Sequence, residues 1–287
     1  MPYEAEISRG QKTLFVFLLD QSGSMEEPIG GTGERKDAAV ANAINSWIHN
    51  IIIRATGDEG VKDWMDVAVI GYRTDQDGNA IIESALGGSL AGRELVTLAE
   101  LHENAQKHPV TETHYDEDSG ETIEMETEAP FWVVPVADCG TPMCSALHRA
   151  YEIIDNWCNQ DENKASFPPT LIHFTDGESI DGDPIPYAEP IMDLRTDDGE
   201  ALAFNCHLSA VAADTFIFPN NNELMPEQYA QDLYKMSSKL PESIYQRAVA
   251  DGIELQPNAR GMAYNADMVQ LIRFLDMGTR VVTPDLR

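Results

Sequence analysis

The chain has 287 residues, enough to bury one large core or a core with a substantial insertion. Hydrophobic residues form 43% and charged residues 24% of it, as in ordinary globular proteins. Its 49 acidic residues outnumber its 19 basic ones, so the formal net charge is −30. A surface this negative repels phosphate backbones and anionic lipids, which argues against nucleic acid or membrane binding. The acidity serves either solubility, including in salty surroundings, or the selection of a partner.

The amino-terminal part begins with a strand, a helix and a second strand. Leu14–Asp20 is apolar until its last residue, as expected of a central parallel strand covered on both faces. Lys36–Ala55 places apolar residues at helical spacing, and Trp64–Tyr72 is typical of another buried strand. Together these segments predict a βαβ unit.

From about residue 75 to residue 130 the apolar pattern is interrupted. The sequence predicts a helix near Gly92–Gln106, then a hairpin with strands Val110–Tyr115 and Glu121–Glu128. Residues 111–129 contain eight acidic side chains and no lysine or arginine. We interpret residues 75–130 as an insertion with a solvated acidic hairpin, which is either a plain exposed element or an interaction surface.

Beyond residue 130 strands and helices alternate again. The predicted elements are the helix Met143–Asn159, the strands Thr170–Thr175 and Ala201–Leu208, and the helix Ala266–Met277. This alternation predicts an α/β fold, with a doubly wound, mostly parallel sheet flanked by helices. The whole chain is expected to form one domain that contains the insertion.

The compartment expected from the sequence is the cytoplasm. The first residues are polar and charged, unlike a signal peptide, and no run of about 18 apolar residues is present. The cysteines lack CxxC spacing and lie in apolar or helical stretches, which favours reduced core thiols over metal ligands or disulfides. They are Cys139, Cys144, Cys158 and Cys206.

Three short polar loops lie at or beside the carboxyl ends of predicted strands. They are Asp20–Ser24 (DQSGS), Asp138–Pro142 (DCGTP) and Thr175–Glu178 (TDGE). Open α/β sheets bind ligands at that edge, so the three loops should meet there. All three offer small oxygen ligands, and Mg²⁺ prefers oxygen ligands at about 2.1 Å in octahedral geometry while keeping several waters.

These loops predict a Mg²⁺ site formed by Asp20, Ser22, Ser24, Thr141 and Asp176. The three neutral hydroxyls can contact a metal without neutralising it. The two carboxylates can lie behind them and hold coordinated waters and the serine hydroxyls. An ion with so few charged ligands stays electrophilic, and can accept a carboxylate from outside as its last ligand.

The three loops, in this order, resemble the metal-ion-dependent adhesion site of von Willebrand factor A (VWA) domains. The resemblance rests on Asp20-x-Ser22-x-Ser24, on Thr141 and on Thr175-Asp176-Gly177, and it covers residues 12–74 and 131–278. It implies a Rossmann-like VWA fold, bound Mg²⁺ or Mn²⁺, and a partner whose acidic side chain completes the coordination. The expected partner-binding rim flanks these loops and consists of Met25, Glu26, Gly140, Gly177 and Glu178.

Plainer interpretations of several motifs remain open. Asp20 and the two serines can form a strand-end turn, and Thr141 before a proline can cap a helix. Residues 30–36 (GGTGERK) lack the spacing of a phosphate-binding loop, and residues 75–79 lack most ligands of a calcium loop. A second ion near Asp181 and Asp183 is a further, weaker alternative.

The resemblance implies a non-enzymatic intracellular adaptor that docks a partner's carboxylate on the metal. Stand-alone bacterial relatives work with protein kinases and phosphatases in stress or defence systems, or with AAA-type ATPases, and residues 259–280 resemble the kinase-associated group. The enzymatic alternative is a Mg²⁺-dependent phosphatase or hydrolase. Haloacid-dehalogenase phosphatases need D-x-D, however, and Ser22 occupies the position of their general acid. An extracellular adhesin is disfavoured because signal-peptide and disulfide patterns are lacking.

Overall fold

A computed structural model of the chain describes residues 3–275, apart from residues 6, 9, 31, 59, 117–120, 212, 213, 224, 251, 267–269 and 273. The α-helices, in chain order, are α1 (Lys36–Ala55), α2 (Leu98–Glu103), α3 (Met143–Cys158), α4 (Ile185–Asp193), α5 (Gln228–Lys235) and α6 (Glu242–Ala250). The first strands are β1 (Thr13–Asp20), β2 (Thr56–Gly57), β3 (Gly60–Val61), β4 (Met65–Thr74), β5 (Ala80–Ser84), β6 (Val96–Thr97), β7 (Gln106–Asp116) and β8 (Glu121–Phe131). The later strands are β9 (Thr170–Thr175), β10 (Arg195–Thr196), β11 (Gly199–Glu200), β12 (Leu202–His207), β13 (Phe216–Ile217) and β14 (Met262–Tyr264).

The central sheet has the strand order β13-β14-β12-β9-β1-β4-β5, and β6 also pairs with β4. The five strands from β14 to β4 are parallel to one another. The edge strands β13, β5 and β6 are antiparallel to their neighbours. A parallel pair needs a crossover connection, and α1 provides it between β1 and β4. The predicted α/β fold with a doubly wound, mostly parallel sheet is confirmed.

The side chains of β1 alternate between two buried clusters, one on each face of the sheet. On one face Trp47 of α1 packs edge-on against Phe15 and Phe17, with ring centroids 5.4 and 4.7 Å apart. On the other face Val16 belongs to the same buried cluster as Ile154 of α3. All eight residues of β1 are buried, which explains why its sequence is apolar from Leu14 to Leu19.

Helices cover both faces of the sheet. Buried residues of α1 and α6 belong to one hydrophobic cluster, and those of α3, α4 and α5 belong to the other. Positions 270–272, 274 and 275 are helical, and Leu271 and Leu275 are buried on the face of α1. The rest of the predicted helix Ala266–Met277 lies largely outside the described residues. Among the helices of the described chain, none is both long enough and apolar enough to cross a membrane.

The predicted interruption at residues 75–130 divides into two parts. Its first part contributes β5 and β6 to the central sheet. Its second part is a separate hairpin, in which β7 and β8 pair from Gln106 with Phe131 to Asp116 with Glu121. Both strands are longer than predicted, and the turn between them lies outside the described residues.

Two predictions needed correction here, and several elements were not predicted. The helix expected near Gly92–Gln106 is limited to Leu98–Glu103, because Val96 and Thr97 pair with β4, and Thr97 and Glu100 form the capping box at which the helix begins. Cys139 is exposed, whereas the other three cysteines are buried, so it is not a core thiol. The sequence pattern also missed α4, α5, α6, β13 and β14, of which β14 completes the parallel part of the sheet.

Candidate metal site

The site lies where the winding of the sheet changes direction. From β1 the chain crosses to β4 on one side, whereas β9 and later parallel strands lie on the other side. Open α/β sheets form a crevice outside the carboxyl ends of the strands at such a switch point. The loops after β1 and β9 both begin there, because the two strands are adjacent and parallel. The first and third predicted loops are therefore brought together by the topology.

Asp20 is the last residue of β1, and it is only 2% exposed. Its Oδ1 accepts a 2.9 Å hydrogen bond from the backbone N–H of Ser22, and its Oδ2 accepts a 2.7 Å hydrogen bond from the hydroxyl of Thr175. Burial raises the pKa of Asp20 to about 6, although these hydrogen bonds act in the opposite direction. A carboxylate this poorly solvated gains electrostatic stabilisation from a nearby cation.

The hydroxyls of Ser22 and Ser24 are 3.1 Å apart. A short 3₁₀ helix, Gly23–Glu26, begins directly after Ser22 and sets this spacing. Adjacent ligands of an octahedral ion with bonds of about 2.1 Å lie about 3.0 Å apart. The two hydroxyls are therefore spaced as neighbouring ligands of Mg²⁺ would be.

Asp176 joins the first loop to the third. Its Oδ1 accepts a 2.8 Å hydrogen bond from the Ser24 hydroxyl, and its side chain is only 1% exposed. A continuous series of polar contacts thus runs from Asp176 through Ser24 and Ser22 towards Asp20. Four of the five predicted metal-site residues belong to this network.

The second loop packs against the first. The backbone N–H of Gly23 donates to the carbonyl of Cys139 over 2.9 Å, and Cys139 adopts a positive φ of 50° to make this turn. Thr141 is buried, and its carbonyl accepts a 3.0 Å hydrogen bond from Ile180 N–H, in the segment after the third loop. The Thr141 hydroxyl makes no hydrogen bond to another described residue, so its oxygen is available to an additional ligand.

Sequence reasoning missed Lys36, the first residue of α1. Its ammonium lies 2.6 Å from Oδ2 of Asp176, and its side chain is only 3% exposed. It also donates to the carbonyl of Ser24 and to the carboxylate of Glu27, over 3.3 and 3.2 Å. One signal was available in the sequence. A lysine at the start of a helix is opposed by the helix dipole, so it needs a local anionic partner.

Four of the five predicted rim residues are at least partly exposed, and their role in partner binding stays a prediction. Glu26 and Glu178 are exposed, and Gly140 and Gly177 are partly exposed. Met25 is fully buried in the core, so its assignment to the rim was wrong. It is an apolar residue within a single 3₁₀ turn, and that turn directs its side chain inward. Gly177 and Glu178 also border a cavity of about 300 Å³ that extends to α5.

The donor set fits a hard divalent ion better than a softer metal. No group of three or more His, Cys, Asp or Glu side chains in the described part of the chain is placed to hold a metal. Available instead are hydroxyl oxygens and two buried carboxylates, a set that leaves room for waters as Mg²⁺ requires. The neighbouring acids Asp181 and Asp183 are used as backbone caps, for Cys144 and Ser145 and for Ile185 respectively.

Comparison with known proteins gives information on the fold alone. No family model matches the sequence, and no curated protein matches it. Among solved structures, the pilus adhesin SpaC from Lactobacillus rhamnosus GG is 12% identical with a TM-score of 0.52, over 97% of this chain and 32% of the adhesin. Proximal thread matrix protein 1 from the mussel byssus is 10% identical with a TM-score of 0.46, over 96% of this chain and 49% of that protein. The chain thus spans less than half the length of either protein.

Proposed function

We propose that this chain is a VWA-type module that binds Mg²⁺ or Mn²⁺ and uses the ion to dock a protein partner. The residues that would hold the ion are Asp20, Ser22, Ser24, Thr141 and Asp176. The observation that carries the proposal is the polar network at the switch point, in which side chains from two loops far apart in sequence meet. The two carboxylates of this network are buried, and a divalent cation beside them would stabilise their charged forms.

The residues would have different roles around the ion. The hydroxyls of Ser22, Ser24 and Thr141 would be the neutral ligands, and Asp20 and Asp176 would hold coordinated waters, with Asp176 also accepting from the Ser24 hydroxyl. When bound, the ion supplies an electrophilic position for a carboxylate. This combination supports binding of an acidic side chain from a partner.

The charge of the protein constrains its partner. This chain has a net charge of −30, so it repels a partner whose docking surface is purely acidic. Glu178, which is exposed beside the site, adds to this repulsion, whereas the exposed Glu26 is paired with Arg35. We infer that the partner presents one carboxylate to the metal among basic residues that contact the acidic rim. Protein kinases, phosphatases and AAA-type ATPases are the partner classes that the VWA resemblance suggests.

The arrangement favours docking over catalysis. The hydroxyls of Ser22 and Ser24 interact with each other, and the Ser24 hydroxyl donates to Asp176. No histidine in the described residues forms a hydrogen bond with either hydroxyl, so neither is activated as a nucleophile by an adjacent imidazole base. We also propose a cytoplasmic location, which the four free cysteines support because reduced thiols are usual there.

Metal binding tests the proposal directly. Mn²⁺ titration followed by electron paramagnetic resonance should show one site in the wild-type protein, with Mg²⁺ competing for it. Asp20→Asn and Ser22→Ala should each weaken binding at least tenfold. Asp183→Asn is the matched control, because it removes one exposed carboxylate from the loop after β9 and should leave the affinity unchanged.

Partner binding tests the docking role. The wild-type protein, used as bait in a cell extract, should retain a partner in Mg²⁺ and lose it in EDTA. Ser22→Ala should lose the same partner, whereas Asp183→Asn should retain it. Wild-type protein that bound no Mn²⁺, or partner capture that was equal with and without EDTA, would contradict the proposal.

A further inference from the structure

Lys36 is a buried cation in contact with a carboxylate of the proposed site. Its ammonium and the carboxylate of Asp176 are 2.6 Å apart, with side chains 3% and 1% exposed. The neighbouring Arg35 is directed elsewhere, since it pairs with Glu26 and Asp37. Among the lysines and arginines of the described residues, Lys36 is therefore the one that contacts a carboxylate of the proposed site, that of Asp176.

The surroundings of Lys36 hold its ammonium at the site. It has three acceptors: the carboxylate of Asp176, the carbonyl of Ser24 and the carboxylate of Glu27. Glu27 is 59% exposed, so water screens its contribution, whereas the contact with Asp176 is shielded. A buried ammonium is retained only when paired, and the pair with Asp176 meets that condition.

The formal charges define what Lys36 does to the site. Asp20 and Asp176 carry two negative charges, and the ammonium leaves a net charge of −1 before a metal binds. A divalent ion would change this to +1, and one carboxylate from a partner would bring it to zero. Without Lys36 the metal-loaded site would already be neutral, and the same carboxylate would leave it at −1.

We propose that Lys36 sets the ligand preference of the site, by weakening its affinity for the divalent ion and strengthening the affinity of the loaded site for an anionic ligand. This inference rests on the proposed metal-binding function. The direction of both effects follows from Coulomb's law at short range in a poorly solvated environment. Lys36 thereby favours a site that binds a carboxylate firmly once loaded, at the expense of affinity for the metal alone.

The test compares variants that change charge at this position. Lys36→Gln removes the charge and can still donate a hydrogen bond to Asp176, while Lys36→Arg keeps the charge. Lys12→Gln is the matched control, because Lys12 is also paired with two aspartates, Asp63 and Asp66, outside the metal loops. Mn²⁺ affinity is measured by electron paramagnetic resonance. Acetate is then titrated into the Mn²⁺-loaded protein. Its binding is followed by the fall in the relaxation rate of water protons, because acetate replaces a water bound to Mn²⁺.

The two measurements should move in opposite directions. Lys36→Gln should bind Mn²⁺ roughly tenfold more tightly than wild type, and its loaded form should bind acetate roughly tenfold more weakly. Lys36→Arg should resemble wild type in both respects, and Lys12→Gln should change neither. Variants are checked for folding by thermal melting, and Lys36→Met serves as a second neutral variant if Lys36→Gln does not fold.

A merely structural role for Lys36 would lower both affinities together, and that result would overturn the inference. Unchanged affinities in Lys36→Gln would overturn it as well. Failure of both neutral variants to fold would also overturn it, because Lys36 would then be required for the structure itself. If wild-type protein bound no Mn²⁺, the proposed function would fail first, so the two failures are distinguishable.

Discussion

The hydroxyl of Thr175 donates a 2.7 Å hydrogen bond to Oδ2 of Asp20 and joins the carboxyl ends of β9 and β1. Both residues are buried, at 0% and 2% exposure. The other oxygen of Asp20 accepts from the backbone N–H of Ser22. A buried carboxylate depends on such donors, since a charge removed from water without them is costly. The hydrogen bond from Thr175 therefore supports the ionised form of Asp20.

Thr175→Val should destabilise the metal-free protein at pH 8. The substitution keeps the shape of the side chain but removes the hydroxyl that donates a 2.7 Å hydrogen bond to Asp20. Loss of a buried hydrogen bond to a charged group costs about 1.5–3 kcal/mol. Urea denaturation at pH 8 measures the change in the free energy of unfolding, and Mn²⁺ affinity should fall as well.

Thr170→Val is the matched control on the same strand. Thr170 is also fully buried, and its hydroxyl has no hydrogen-bond partner within the described residues. Replacing that hydroxyl with a methyl group removes an unsatisfied polar atom, so stability should stay the same or increase. Equal destabilisation by both substitutions would show that the hydrogen bond to Asp20 contributes nothing specific to the free energy of unfolding.

Asp20→Asn should stabilise the metal-free protein while weakening metal binding at least tenfold. The pKa of Asp20 in the folded protein is raised from 3.8 to about 6, mainly by burial. The folded state therefore binds this proton more tightly than the unfolded state does. This contribution to stability is full below pH 3.8 and is lost as pH rises through about 6. The resulting penalty at pH 8 is on the order of 3 kcal/mol, and a neutral amide avoids it.

Melting temperatures with and without Mg²⁺ check this prediction. Without metal at pH 8, Asp20→Asn should melt above the wild type, and the difference should disappear near pH 4. With Mg²⁺ the wild type should gain more stability than Asp20→Asn, because a ligand stabilises the state that binds it. Asp183→Asn should match the wild type in every condition. An Asp20→Asn protein less stable than wild type without metal would contradict the assigned penalty.

Much of the sheet could be predicted because burial on both faces leaves a continuous apolar run in the sequence. β1 and β9 are such runs, and the loops after them fall at one edge once the strands are parallel. β14 has only three residues, Met262–Tyr264, and its pairing with β12 is distant in sequence. No local periodicity marks a strand that short, so this part of the fold could not be predicted.

The candidate site also contains residues that the sequence could predict and residues that it could not. Asp20 and Asp176 were predictable from their position directly after apolar strands. Lys36 was not, because the direction of a long side chain at the start of a helix depends on the loops that fold over it. Met25 shows the opposite error, since a residue between polar neighbours in sequence is fully buried in three dimensions. Strand positions were therefore easier to predict than side-chain directions in the connecting turns.

Two buried histidines should differ in their response to substitution. His173 contacts the hydroxyl of Tyr72 at 2.7 Å and the amide oxygen of Asn205 at 3.0 Å. His207 stacks on Tyr264 with ring centroids 5.0 Å apart, and neither of its ring nitrogens has a partner within the described residues. At pH 7, His173→Phe should lower the free energy of unfolding by about 1–3 kcal/mol for each partner left unsatisfied, the Tyr72 hydroxyl and the Asn205 amide oxygen. His207→Phe should leave the free energy of unfolding unchanged at pH 7, because phenylalanine keeps the stacked ring and no hydrogen bond is lost.

Acid should separate His207→Phe from the wild type. Burial lowers the pKa of His207 from 6.5 to about 4, so the unfolded state binds its proton first as pH falls. The wild type therefore loses stability as pH falls from 6.5 towards 4, and the loss at pH 5 from this residue is about 2 kcal/mol. His207→Phe has no such proton to bind. The free energy of unfolding is measured with urea at pH 7 and pH 5. Between these pH values, His207→Phe should lose about 2 kcal/mol less than the wild type. A parallel decline of the two proteins would show that His207 is hydrated or paired, and not buried without a partner.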